Sequence, residues 1–179
     1  MTGNYFAALP VIVPAGWLPA LRNGAPPGLR WFHPGDLHLT LAFFGREDPA
    51  RLPALREVLE AIPFPGATVT LGTLRGLPSQ RRFSALAFTL AEGRDEVAAV
   101  IGAWRGPLCA AAGVDPDSRP PLPHLTVARP ARKDPAFRPR AVRDWMDSLP
   151  ASGPPVQVLA PALFGWAPDR PRRQFRLIP

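Results

Sequence analysis

The chain has 179 residues, 46% apolar and 20% charged, enough for one buried core and incompatible with wholesale disorder. Its 26 prolines and 15 glycines are scattered without a period, which excludes a collagen-like fibre and predicts many stiff loops. Of 21 basic residues all but Lys133 are arginine, and the net charge of +7 suits a polyanionic partner, because each neutralised phosphate releases counterions. The single cysteine, Cys109, excludes an internal disulfide and a cysteine-rich zinc site. Its small apolar neighbours place it in the core. No run reaches the ~18 apolar residues of a membrane span. Residues 5–21 lack a basic leader and are interrupted by Pro10, Pro14 and Pro19, which is wrong for a signal peptide. A cytoplasmic protein without a membrane partner is expected.

Residues 5–13 are apolar and end in proline, which suits a buried strand. A loop is expected over 23–35, then a strand over 38–45 closed by glycine. In 49–62, Leu52, Leu55, Leu59 and Ile62 recur every three or four residues, the stripe of an amphipathic helix. Pro49 and Pro53 are tolerated in its first turn, and Pro63 and Pro65 stop it. Strands over 68–77 and 83–90 flank a turn carrying Arg81 and Arg82. A helix over 95–108 aligns Val97, Val100, Ile101, Trp104 and Leu108, and a proline-rich connection over 113–123 leads into a short strand over 124–129. The strongest helical stripe, Val142, Trp145, Met146 and Leu149, lies in 138–149. Segments 156–166 and 173–178 read as a closing strand pair.

The chain contains only three histidines, and two stand in identical tripeptides, His38-Leu39-Thr40 and His124-Leu125-Thr126. On a strand the side-chain period is two, so each histidine shares a face with its threonine. Leu39, Leu41 and Phe43 are expected on the core side of the first strand, and Leu125 and Val127 on that of the second. The four polar residues are then free to surround one small tetrahedral anion. Imidazole titrates near neutrality, so one copy can accept a proton while the other donates one. Opening a phosphodiester needs both acts, and threonine hydroxyls can hold the non-bridging oxygens. His33, before Pro34 in a loop and without a counterpart, is expected to be structural or surface.

The repeated order of elements predicts an α+β fold with mainly antiparallel sheet, helices on the outer faces and a central cleft. Residues 1–179 are expected to form a single bilobal domain, two lobes related by a pseudo-twofold through internal duplication.

Residues 29–45 (LRWFHPGDLHLTLAFFG) and 123–129 (PHLTVAR) resemble the two-histidine phosphoesterases, and within them the bacterial and archaeal RNA 2′,3′-cyclic phosphodiesterases, also known as 2′-5′ RNA ligases. The Tyr5-Phe6-Ala7-Ala8-Leu9-Pro10 opening is similar to that family's first strand. The resemblance implies hydrolysis of an RNA 2′,3′-cyclic phosphate to a 2′-phosphate, without metal or cofactor. It implies that His38 donates a proton to the leaving 3′ oxygen, that His124 is the base on water, and that Thr40 and Thr126 bind phosphate. Arg129 matches an arginine near the phosphate, although strict alternation turns it away from His124 unless the strand ends or twists. Phe6 matches a first-strand aromatic that either packs on the nucleotide base or belongs to the core. The expected partner is RNA with a cyclic phosphate end or a cyclic nucleotide, acted on by a monomer.

Two other readings stay open at this level. The same site could run in reverse and join RNA ends through a 2′-5′ linkage, or the chain could be a basic RNA-binding module without turnover. The turn over 78–82 and the segment over 170–176, with four arginines, could each track an RNA backbone or be solvated surface. Trp104 and Trp145 are assigned to the core.

Overall fold

A computed structural model describes residues 4–46, 48–169 and 172–179. Among the described residues nine strands and four α-helices follow one another: β1 (Asn4–Ile12), α1 (Trp17–Asn23), β2 (Leu29–Trp31), β3 (His38–Arg46), α2 (Leu52–Glu60), β4 (Gly66–Pro78), β5 (Phe83–Glu92), α3 (Arg94–Ala112), β6 (Leu125–Pro130), α4 (Pro139–Ser148), β7 (Pro155–Leu159), β8 (Ala162–Trp166) and β9 (Phe175–Ile178). All pairings between strands are antiparallel, and the α+β expectation holds. Among the described residues no helix is long and apolar enough to cross a membrane.

The sheet has two wings that meet at the motif strands. One wing runs β3-β1-β8-β9 and the other β2-β6-β5-β4-β7. They join at two places. Leu39 of β3 pairs with Leu125 of β6, and the last residues of β1, Val11 and Ile12, pair with β7. Leu39 and Leu125 are both fully buried, each contributing about 1.5–3 kcal/mol of apolar burial. The residues between histidine and threonine in the two tripeptides therefore seal the junction, and the polar members of both tripeptides are left at its edge.

Helix α3 packs on β3, and α2 packs on α3, with Leu55, Leu59, Val97, Ile101 and Leu108 buried as their periodicity predicts. Val142 and Met146 bury the same stripe of α4, and Trp104 and Trp145 pack against the core from its margin. Cys109 is buried with a free thiol.

Residues 17–23, given no element by the sequence pattern, form a helix, and Pro19 falls in its first turn, where a missing N–H leaves no intrahelical bond unmade. Two expectations need correction. The loop expected over 23–35 contains β2, held against β6. Gly28 leads into it at φ +82°, with Phe137 so close that a Cβ would lie 2.4 Å from its Cα. Finally, 156–166 is two strands: β7 pairs with β4 while β8 pairs with β1 and β9. Pro161 lies at the break between them, and proline cannot donate to a ladder.

Candidate active site

The two histidine tripeptides open onto one cavity of about 310 Å³. His38, Thr40, His124, Thr126, Arg129 and Phe6 all line it, so the six candidate catalytic and substrate-binding residues are brought to the same place, whereas the arginines of 78–82 and 172–176 do not line it. The lining also includes Arg30, Phe32 and Phe43, and among the described residues it contains no Asp or Glu.

The histidines are held alike. Nδ1 of His38 lies 2.6 Å from the backbone oxygen of Asp36, and Nδ1 of His124 lies 2.7 Å from that of Leu122. A carbonyl can only accept, so both Nδ1 atoms carry hydrogen and both Nε2 atoms are left for chemistry. Beyond this the two differ. The ring of His38 stands 4.8 Å from Phe6, 5.4 Å from Phe164 and 5.4 Å from Phe175. Such a wall disfavours the charged imidazolium, and burial pushes the pKa of His38 down from its ordinary 6.5 to about 4. The charges of His124 and Arg129 push the same way, opposed by the bond to Asp36.

That shift has a sign for stability. Between pH 6.5 and about 4 the unfolded chain takes up a proton that native His38 refuses, so this group makes the fold less stable as pH falls through that window. NMR titration of the imidazoles is expected to find His38 neutral at pH 6 in the free protein. A midpoint near 6.5 without ligand would contradict the buried environment.

Asp36 anchors the His38 loop. Its carboxylate is fully buried and accepts hydrogen bonds from Arg173 Nε at 3.0 Å, from the Gln174 backbone N–H at 2.7 Å and from that of Phe175 at 3.4 Å. Arg173 also donates to the carbonyl of Gly35 at 2.8 Å. The C-terminal strand is thereby tied to the residue whose carbonyl orients His38. This removes Arg173 from the arginines available to an RNA backbone. Arg172 forms an exposed pair with Asp169 at 3.6 Å, and Arg170 lies outside the described residues. His33 caps the short turn at Pro34–Asp36, its Nδ1 accepting from the Gly35 N–H at 3.1 Å. On the other side, Arg105 of α3 donates to the carbonyls of Asp117 at 3.0 Å and Arg119 at 2.7 Å, fastening the segment that leads to His124.

Each motif strand also carries an irregularity just after its threonine. In β3, Ala8 pairs with Thr40 and Ala7 with Ala42, so Leu41 is an extra residue. In β6, Ala87 pairs with Thr126 and Leu86 with Ala128, so Val127 is the extra one. An inserted residue reverses the inward and outward phase of the residues that follow it, in β3 as far as a second irregularity at Phe44. Phe43, expected in the core, is 58% exposed and lines the cavity, while Phe44 takes the buried position. The same device turns Arg129 toward the cavity, with its guanidinium 5.9 Å from the centre of the Phe32 ring. Phe6 is a buried part of the cavity wall, stacked on Phe164 at 5.3 Å.

With this fold and this cavity, the chain is similar to the LigT-like phosphoesterases. The LigT-like phosphoesterase family model matches residues 14–85. An RNA 2′,3′-cyclic phosphodiesterase of Geobacillus stearothermophilus is 32% identical over 160 residues, covering 83% of this chain and 48% of that protein. The chain thus spans about half the length of this curated relative. Among solved structures, a phosphoesterase aligns with a TM-score of 0.71 at 20% identity, covering 100% of this chain and 97% of that one. E. coli LigT complexed with 3′-AMP aligns with a TM-score of 0.69 at 21% identity, also covering 100% and 97%. At these identities the likeness concerns the fold.

Proposed function

We propose that this protein hydrolyses the 2′,3′-cyclic phosphate at the end of an RNA to a 2′-phosphate, using its own side chains as acid, base and phosphate clamp. The observation that carries this reading is the convergence of His38, Thr40, His124 and Thr126 on one cavity from two strands joined at Leu39 and Leu125. The curated relative, named an RNA 2′,3′-cyclic phosphodiesterase, points the same way.

The hydroxyls of Thr40 and Thr126 donate to the non-bridging oxygens of the cyclic phosphate, with the Arg129 charge beside them. His124 Nε2 takes a proton from a water molecule, whose oxygen attacks phosphorus. The P–O3′ bond breaks as the new P–O bond forms, and the Nε2 proton of His38 goes to the departing 3′ oxygen. For that role His38 must be protonated, which its burial disfavours. The substrate supplies the missing contribution, because a phosphodiester anion against the ring favours imidazolium and offsets the charge of Arg129, while His124 is neutral as the base. Phe6 backs the His38 ring and keeps water from its buried side. The lining offers proton carriers and hydroxyls instead of a carboxylate or thiolate cage, so the reaction is expected to need no metal and no cofactor.

The test is incubation of a short RNA ending in a 2′,3′-cyclic phosphate with protein in excess EDTA. A phosphomonoester end is expected to form. An unchanged RNA end, in EDTA and with added divalent cation alike, would sink the proposal.

A further inference from the structure

Arg30 and Arg129 occupy directly opposed positions in the ladder between β2 and β6. Opposed residues in an antiparallel pair project from the same face, and like charges so placed repel. Both line the cavity, with Arg129 braced by Phe32. The backbone supports the arrangement: the N–H of Phe32, just past β2, donates to the carbonyl of Val127 at 2.9 Å. Val127 is the extra residue that turns Arg129 inward. Two structural devices, an added edge strand and a bulge, thus bring two like charges to one cavity wall.

An arrangement that is unfavourable by itself becomes favourable when an anion lies across it. The cyclic phosphate is already accounted for by the tetrad of His38, Thr40, His124 and Thr126, with Arg129 between it and Arg30. Cations continue outward from that tetrad, Arg129 on β6 and then Arg30 one strand further on β2, strands being about 4.8 Å apart. We infer that Arg30, with Arg129, binds a second phosphate, the one on the 5′ side of the terminal nucleotide, and so selects RNA ends over cyclic mononucleotides. This rests on the phosphodiesterase reading and names the substrate class of the same site. A guanidinium fork suits a phosphate that only has to be held, since it stays charged and donates in a plane.

A second phosphate could belong to a phosphodiester or to a nucleotide's own 5′-phosphate, and three substrates separate these sources. The experiment compares kcat/KM for a 2′,3′-cyclic mononucleotide, for the same compound bearing a 5′-phosphate, and for a dinucleotide ending in the cyclic phosphate. It is run on the wild type and on Arg30→Gln and Arg30→Lys, with circular dichroism to verify folding. The dinucleotide is expected to exceed the plain mononucleotide by at least about tenfold, a preference that Arg30→Gln reduces severalfold and Arg30→Lys reduces less. The slope of log(kcat/KM) against log salt for the dinucleotide should fall by about 0.7 in Arg30→Gln, the loss of one single-strand phosphate contact. If the 5′-phosphorylated mononucleotide matches the dinucleotide, the contact is to the phosphate and the selection for RNA is overturned. Equal kcat/KM for all three in the wild type, or a preference unchanged in Arg30→Gln, overturns the Arg30 assignment and leaves the phosphodiesterase reading standing. Turnover of none of them overturns both.

Discussion

Replacing His124 by alanine, or His38 by glutamine, is expected to lower kcat on an RNA 2′,3′-cyclic phosphate by about 10²–10⁴-fold, the contribution of one positioned acid or base. The two sites call for different substitutions. His124 ends the proline-rich connection, its Nδ1 bonded locally to the carbonyl of Leu122, and alanine there removes little packing. The ring of His38 fills a space between Phe6, Phe164 and Phe175, so truncation to alanine would leave a void; glutamine keeps volume and polarity while losing the titrating group. In the proposed mechanism both residues serve one transition state, so the double variant should be little worse than the worse single one. Unchanged thermal unfolding together with kcat within tenfold of the wild type, for either single variant, would remove that histidine from the reaction. The pH profile of kcat/KM should be bell-shaped, and its limbs belong to the pair rather than to either imidazole.

Asp36→Ala is expected to destabilise the protein by about 2–4 kcal/mol, the cost of stranding buried donors that had shared one carboxylate. Two backbone N–H groups, of Gln174 and Phe175, lose their acceptor along with Arg173. Arg173 is 43% exposed and can turn to water, so the backbone donors carry most of the penalty. For a chain of this length the melting temperature should drop by about 5–15 °C. Asp36→Asn retains one acceptor oxygen and should cost less. Activity should fall further than the loss of folded protein explains, because the Asp36 carbonyl also fixes His38. A melting temperature within about 2 °C of the wild type for Asp36→Ala, smaller than the loss of even one buried hydrogen bond implies, would contradict the anchoring role.

Sequence pattern is informative here where one period governs an element from end to end. Alternation places Leu39 and Leu125 in the core, and the 3.6-residue period finds the buried faces of α2, α3 and α4. It fails where the phase changes within a strand. Nothing in the composition of HLTLAF marks Leu41 as an extra residue, so Phe43 is assigned to the wrong face and Arg129 looks misdirected. A signal is nevertheless present. Phe43 and Arg129 each stand five residues after their histidine, so an irregularity common to both strands moves both side chains to the same cavity. The Asp36 anchor is hidden for another reason. It joins residues 137 to 139 positions apart, and no local periodicity reports a pairing of that range. Arg30 sits in a three-residue edge strand, too short for alternation to register.

At the centre of the proposed mechanism, water activated within this pair of strands opens a cyclic phosphate with the 3′ oxygen as leaving group. Single-turnover hydrolysis of an RNA 2′,3′-cyclic phosphate in ¹⁸O-labelled water, with EDTA present, tests it most directly. One ¹⁸O atom is expected in a phosphate attached at the 2′ position, beside an unlabelled 3′ hydroxyl. A labelled 3′-phosphate would mean that the 2′ oxygen departs, and ¹⁸O in the ribose would mean that water does not attack phosphorus; either result would contradict the mechanism.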